Sequence, residues 1–119
     1  EAKRVGATAV ILSNHGGRQL DGTPAPIELV AGVRAAVGPE MEIIVDGGIR
    51  RGTDIFKALA LGANACSLGR AYVRGLGAGG QAGVERALEI LRAEFERCMI
   101  LAGCASVAEI SPEHVRRIG

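Results

Sequence analysis

Aromatic side chains are almost missing from this chain of 119 residues. It has no tryptophan, and Phe56, Tyr72 and Phe95 are its only Phe or Tyr rings. Stacking platforms for single-stranded nucleic acid need several such rings, so that class of partner is excluded. Charge of one sign is missing too. The balance of 14 basic against 13 acidic residues leaves +1, and no basic cluster spans one face, so there is no polyanion footprint. No apolar run approaches the ~18 residues of a transmembrane segment, and no signal peptide is visible. The expectation is a cytoplasmic protein, with membrane-peripheral contact left open. The three cysteines, Cys66, Cys98 and Cys104, are odd in number and show no C-x-x-C spacing. They read as reduced thiols, Cys66 and Cys98 in packed positions, with a Cys98–Cys104 disulfide as the less favoured alternative. A dinucleotide fingerprint is absent, because Gly47-Gly48-Ile49-Arg50-Arg51-Gly52 lacks the G-x-G-x-x-G spacing, and there is no Walker lysine.

What the chain does have is glycine, 18 of them, and an apolar content of 48%, enough for a packed core. Strand and helix patterns alternate. Residues 8–13 read as an apolar strand between Gly6 and the Gly16-Gly17 pair. Residues 26–37 read as a helix entered through Pro24 and Pro26 and ended by Gly38-Pro39, with Ile27, Val30, Val33 and Val37 at helical spacing. A second strand is expected at 42–46, a helix at about 53–61 stopped by Gly62, and a short third strand at 65–69. A Gly-punctuated stretch follows (Gly75, Gly77, Gly79, Gly80), then the longest helix at about 81–102, whose polar face can pair Glu94 with Arg97 or Arg92 with Glu96. Ser106-Val107-Ala108-Glu109 is a capping-box pattern, and Ser111-Pro112 a further helix start. Apolar strands each followed by a helix predict a parallel α/β sheet covered on both faces. A doubly wound sheet and an arc of a (β/α)8 barrel both fit. Three strands cannot close a barrel, which takes ~250 residues, so the barrel solution makes this chain part of a larger enzyme.

Chemistry gathers at the carboxyl ends of the expected strands. The first ends in Ser13-Asn14-His15-Gly16-Gly17-Arg18. A histidine accepts a proton near neutral pH, an arginine fits a carboxylate with paired hydrogen bonds, and paired glycines let a ligand approach the backbone. A substrate with a carboxylate and an abstractable proton would use all three, although a structural histidine bonded within its loop is the alternative for His15. Asp21-Gly22 is a turn signal, and Asp21 is placed to orient Arg18. The second strand ends in Asp46-Gly47-Gly48-Ile49-Arg50-Arg51-Gly52-Thr53 and the third in Gly69-Arg70. Glycine amides, a helix start and an arginine together bind phosphate. The alternative is that the glycines make tight turns and Arg50 and Arg70 are solvated; for Arg51 the two readings weigh equally. Asp46 has two compatible roles: accepting from a ribose or ribityl hydroxyl, or capping its own turn. His114 is expected at the surface.

Residues 13–21, 46–63 and Leu68-Gly69-Arg70 together resemble the FMN-dependent α-hydroxy-acid oxidases and dehydrogenases (glycolate oxidase, lactate oxidase, mandelate dehydrogenase). The likeness runs on through Arg92-Ala93-Glu94-Phe95-Glu96 and Leu101-Ala102-Gly103-Cys104. It implies a (β/α)8 TIM barrel, of which residues 1–119 are the C-terminal three βα units. It further implies that His15 is the base and, with Arg18 as carboxylate clamp, binds the substrate. By the same resemblance Ser13 is expected to lie against the flavin, and Asp46, Gly47, Gly48, Ile49, Arg50, Gly69 and Arg70 to hold FMN, with no metal. A lysine, tyrosines and an aspartate that the family also uses lie on earlier parts of the barrel.

The function this implies is FMN-dependent oxidation of an (S)-2-hydroxy acid to the 2-oxo acid in the complete enzyme, a tetramer or octamer, with the isolated chain inactive alone. Two rivals stand beside it. One is a non-catalytic phosphate- or FMN-binding fragment. The other is a phosphate-binding barrel similar to inosine-monophosphate dehydrogenase, which requires a nucleophilic cysteine in a loop.

Overall fold

The computed structural model describes residues 1–118. Three parallel strands, β1 (Ala9–Ser13), β2 (Glu42–Asp46) and β3 (Ala65–Ser67), lie side by side in chain order. Helix α1 (Pro26–Val37) connects the first pair and α2 (Gly52–Ala60) the second; α3 (Arg70–Ala102) follows. With right-handed crossovers, the rule for parallel units, an order that never reverses keeps α1 and α2 on one face of the sheet.

Side-chain alternation agrees. Val10 pairs with Ile43 and Leu12 with Val45, and these four join Cys66 against Val30 of α1 and Ala58 of α2 in one core. Val30, Ile43 and Val45 are fully buried, each worth roughly 1.5–3 kcal/mol. Ile11, on the opposite face, is 64% exposed. The expectation of two covered faces therefore fails for the described residues, where helices cover one.

Loops at the amino ends of the strands are fastened by Arg34. Its guanidinium donates to the carbonyls of Gly62 (2.9 Å), Gly38 (2.6 Å) and Met41 (2.8 Å) and to Asn64 Oδ1 (2.6 Å). Asn64 Oδ1 also accepts from Ile43 N–H at 2.9 Å, tying the knot to the central strand.

Boundaries follow the sequence closely for β1, α1, β2 and α2. Beyond them, three expectations change. The third strand stops at Ser67, because Leu68 and Gly69 turn the chain into α3. The glycine stretch is helical: α3 begins at Arg70 and breaks only at Gly79 and Gly80. Gly75 and Gly83 explain it, since a β-carbon on either would collide with the other's backbone; the two halves of α3 fold back on one another and cross there. The segments after Ser106 and Ser111 form only three-residue 3-10 turns, Val107–Glu109 and Pro112–His114.

Helix α3 packs on α2. Phe56 and Phe95 meet in a tilted contact with centroids 6.5 Å apart, and Gly52 sits against the backbone of Glu94 and Phe95. Arg92 pairs with Glu96 at 2.7 Å, whereas Glu94 turns to α2. All three cysteines are free; Cys104 is the most buried, and Cys66 and Cys98 are half-buried. No helix among the described residues is long and apolar enough to cross a membrane.

Candidate active site

In register, Ser13, Asp46 and Ser67 form one rung at the carboxyl end of the sheet. Because alternate side chains share a face, all three belong to the open face that carries Ile11. Ser13 Oγ donates to Asp46 Oδ2 at 2.6 Å and accepts the His15 N–H at 3.1 Å. One hydroxyl thus links the end of β2 to the turn that follows β1. This is a role for Ser13 and Asp46 beyond those read from sequence.

That turn is the 3-10 segment His15–Gly17. Among the described residues His15 is the only non-glycine with a positive φ, at 54°, followed by Gly16 at 70° and Gly17 at 74°. Left-handed backbone of this kind is costly for a residue with a β-carbon. His15 is exposed, and its imidazole has no hydrogen-bond partner among the described residues. Arg18 Nε donates to the His15 backbone carbonyl at 3.2 Å, which ties the guanidinium to the turn and leaves both Nη groups without a partner among the described residues. The expected contact of Asp21 with Arg18 does not form.

A β-carbon built on Gly16 would stand 3.5 Å from Arg70 Nη2 and 3.9 Å from Arg18 Nε. Arg70, at the start of α3, therefore reaches across to the β1 turn, and two guanidinium groups flank one glycine. A cleft of about 380 Å³ opens beside them. Its walls are Asn14, Gly16 and Gly17 of the β1 turn, the start of α1 at residues 25–27, the glycine loop Gly47, Gly48 and Ile49, and Asp54, Lys57 and Arg70. Gly47 and Gly48 have φ of 111° and 81°, open only to glycine at ordinary cost. Ile49 both lines the cleft and belongs to the core.

The start of α2 does not serve as a free anion site, contrary to the sequence reading. Asp54 Oδ2 accepts from the amides of Arg50 and Arg51, both at 3.0 Å, and Glu94 Oε2 accepts from Gly52 N–H at 2.9 Å. Glu94 also pairs with Arg51 at 3.3 Å, which assigns Arg51 to structure. The donors that remain are the amides of Gly48 and Ile49 and, in the first turn of α2, that of Thr53, without acceptors among the described residues. Arg50 is exposed and is not among the residues that line the cleft, and Gly69 supplies the cap of α3. Arg18, Arg50, Arg70 and Lys57 make no ion pair among the described residues. This edge of the sheet is accordingly poised for anions.

Three cleft residues escaped the sequence reading. Asn14 was legible as an Asx-turn residue ahead of glycines. Asp54 and Lys57, three apart, share a face of α2 with the glycine loop, a spacing that helical geometry reveals once the helix start is known. Elsewhere, burial first and the charge of Asp54 second push the Cys66 thiol up to about 11. A raised thiol within strand β3 does not match the loop nucleophile that the inosine-monophosphate-dehydrogenase-like alternative requires. His114 is exposed as expected, yet its ring meets Phe56 edge-on at 6.1 Å and its Nε2 lies 3.4 Å from Cys104 Sγ.

Comparison with known proteins places these features in context. Residues 1–117 match the family model for FMN-dependent dehydrogenases. Pre-mycofactocin synthase of Mycobacterium tuberculosis is 52% identical over 118 residues, 97% of this chain and 30% of the relative. The 2-hydroxyacid oxidase 2 of Rattus norvegicus is 52% identical over 107 residues, 90% of this chain and 30% of the relative. Among solved structures, a soluble mutant of the membrane-associated (S)-mandelate dehydrogenase from Pseudomonas putida superposes with a TM-score of 0.93 at 45% identity, over 98% of this chain and 33% of that one. The chain thus spans about 30% of the length of the curated relatives it matches.

Proposed function

The chain belongs to the FMN-dependent dehydrogenase family, and we propose that it supplies the base, the carboxylate clamp and the cofactor-phosphate site of a larger enzyme that oxidises an (S)-2-hydroxy acid to the 2-oxo acid. The observation that carries this reading is the β1 turn. It carries an imidazole and the Nη groups of Arg18, none of them with a partner among the described residues, and both Arg18 and Arg70 reach Gly16 of the same turn.

The residues fit the cofactor. The amides of Gly48 and Ile49, with the cations of Arg70 and Lys57, suit a phosphate group in the cleft. Arg50 and Gly69 border it, and Ser13, Asp46 and the backbone of Gly47 line the approach for polyol hydroxyls. Bound FMN supplies the acceptor for two electrons. Arg18 receives the substrate carboxylate through its two Nη groups, and His15 takes a proton from the substrate.

We propose further that the chain forms the last three βα units of a (β/α)8 barrel. The one-way strand order, the single covered face and the exposed Ile11 support this. The site stands at the carboxyl ends of the strands, where barrel enzymes place their chemistry. On this reading the complete protein assembles as a tetramer or octamer. Its free thiols suit a reducing, cytoplasmic setting, and peripheral membrane contact is compatible with the mandelate dehydrogenase likeness.

The test is to purify the complete protein, record a flavin spectrum and add 2-hydroxy acids without oxygen. Bleaching of the flavin supports the proposal. Bound flavin that no 2-hydroxy acid bleaches favours a second reading, formation of pre-mycofactocin, suggested by the 52% identity to that synthase. Absence of flavin overturns both.

A further inference from the structure

Asn14 stands between the two residues given chemical roles above, and it is the half-buried member of an otherwise exposed turn. Its Oδ1 accepts the Gly16 N–H at 3.1 Å, and its Nδ2 donates to the Pro24 carbonyl at 3.4 Å. Its own carbonyl accepts the Gly17 N–H at 2.9 Å. A β-carbon on Gly47 would stand 3.5 Å from Asn14 Oδ1, so the side chain occupies the space that glycine leaves. One short amide therefore touches the β1 turn, the entry to α1 and the glycine loop after β2. Each of its polar atoms makes a bond to backbone, and these bonds tie the three segments together.

The residue it encloses is the strained one. His15 sits in the left-handed region, where a β-carbon clashes with the following carbonyl, and that conformation persists only when its surroundings hold it. The Asn14–Gly16 bond closes the backbone on the carboxyl side of His15, and the Ser13 hydroxyl holds the His15 amide on the other. We propose that Asn14 is a positioning residue. It fixes the left-handed backbone of His15, and hence where the imidazole stands relative to Arg18 and the cleft, without itself touching substrate. The proposal rests on the reading of His15 as the base.

The experiment compares Asn14→Ala and Asn14→Asp in the complete, flavin-loaded protein. It measures anaerobic flavin reduction by a 2-hydroxy acid, the KM for that acid, flavin content, melting temperature and amide hydrogen exchange at Gly16. Removing the strut displaces the base, so Asn14→Ala is expected to slow reduction about 10²-fold, with KM, flavin content and melting temperature little changed and Gly16 exchange accelerated. Asn14→Asp keeps the Oδ1 acceptor and is expected to restore most of the rate and the protection. Reduction by Asn14→Ala at the unaltered rate overturns the proposal, as does a loss that only tracks lost flavin or unchanged protection of Gly16. Should the unaltered protein bind flavin yet be reduced by no 2-hydroxy acid, the hydroxy-acid reading fails. Gly16 exchange in the two variants then decides the role of Asn14 by itself.

Discussion

Ser13 and Asp46, the last residues of neighbouring strands, share a 2.6 Å hydrogen bond, and the same Ser13 oxygen receives the His15 amide. The position of the candidate base is thus coupled to the strand that carries the glycine loop. Ser13→Ala removes a hydroxyl that serves both partners. A hydrogen bond to a charged group contributes ~1.5–3 kcal/mol, and exposure places this one at the lower end. Urea unfolding of Ser13→Ala is expected to show a loss of about 1–2 kcal/mol, and its flavin reduction a slower rate. Unchanged stability together with an unchanged rate would show that the bond is incidental.

The two arginines read from sequence as phosphate ligands, Arg70 more firmly than Arg50, differ in the structure. Arg70 lines the cleft and reaches Gly16, whereas Arg50 is not among the lining residues and its amide is held by Asp54. A charge-assisted bond to phosphate is about twice as strong as a neutral one. Arg70→Ala in the complete protein is therefore expected to weaken FMN binding about tenfold or more, on the basis of ~1.5–3 kcal/mol for a hydrogen bond to a charged group. Arg50→Ala is expected to weaken it less. Fluorescence titration of the apoprotein with FMN measures both, and the reverse order would show that Arg50 swings into the site.

Much of this was legible from residue pattern. The β1, α1, β2 and α2 segments announce themselves because apolar period and punctuation agree, as at Pro26 and Gly38. The helical character of 70–78 was not legible, because the reason for Gly75 is its contact with Gly83, a tertiary fact. The candidate base and clamp could be named from His15 and Arg18 in sequence. The capture of the α2 amides by Asp54 and Glu94 could not, since Glu94 lies 42 residues from its partner Gly52. Local spacing proposes donors; only the fold tells which are already taken.

Gly52 illustrates that long-range constraint. A β-carbon there would run into the Phe95 nitrogen and stand 2.5 Å from the Glu94 carbonyl carbon, both backbone atoms of α3. Nothing at that contact is a flexible side-chain tip, so the helices must part and the Glu94–Gly52 bond must lengthen. Overpacking of this kind costs about 1–3 kcal/mol and occasionally more. Gly48→Ala meets open space and suffers only its positive φ, worth about 1–2 kcal/mol. Thermal melts should therefore rank Gly52→Ala as the more damaging of the two, with the flavin site affected through the displaced 50–52 segment. The opposite ranking would mean that the α2–α3 packing is looser than the structure describes.

Cys66 provides a test that needs no substrate. Its thiol is pushed up to about 11, by burial first and by the negative charge of Asp54 second, from an ordinary value of 9.0. The thiolate is the species that alkylating agents attack, so at pH 8 the folded protein should leave Cys66 unmodified. Its labelling should rise only as pH approaches 11. Stability carries the same signature with a definite sign. Between pH 9 and 11 the unfolded chain has released this proton while the folded chain keeps it, so the folded state binds more protons and stability falls as pH rises. Below that window the contribution is fully present. Asp54→Asn removes the second cause and should lower the pH at which labelling begins, while burial keeps it above the ordinary value. Peptide mapping after timed alkylation at stepped pH reads all of this directly. Rapid labelling of Cys66 at pH 8 in the folded protein would contradict its assignment as an inert core thiol, and would reopen the nucleophilic-cysteine alternative that its burial now argues against.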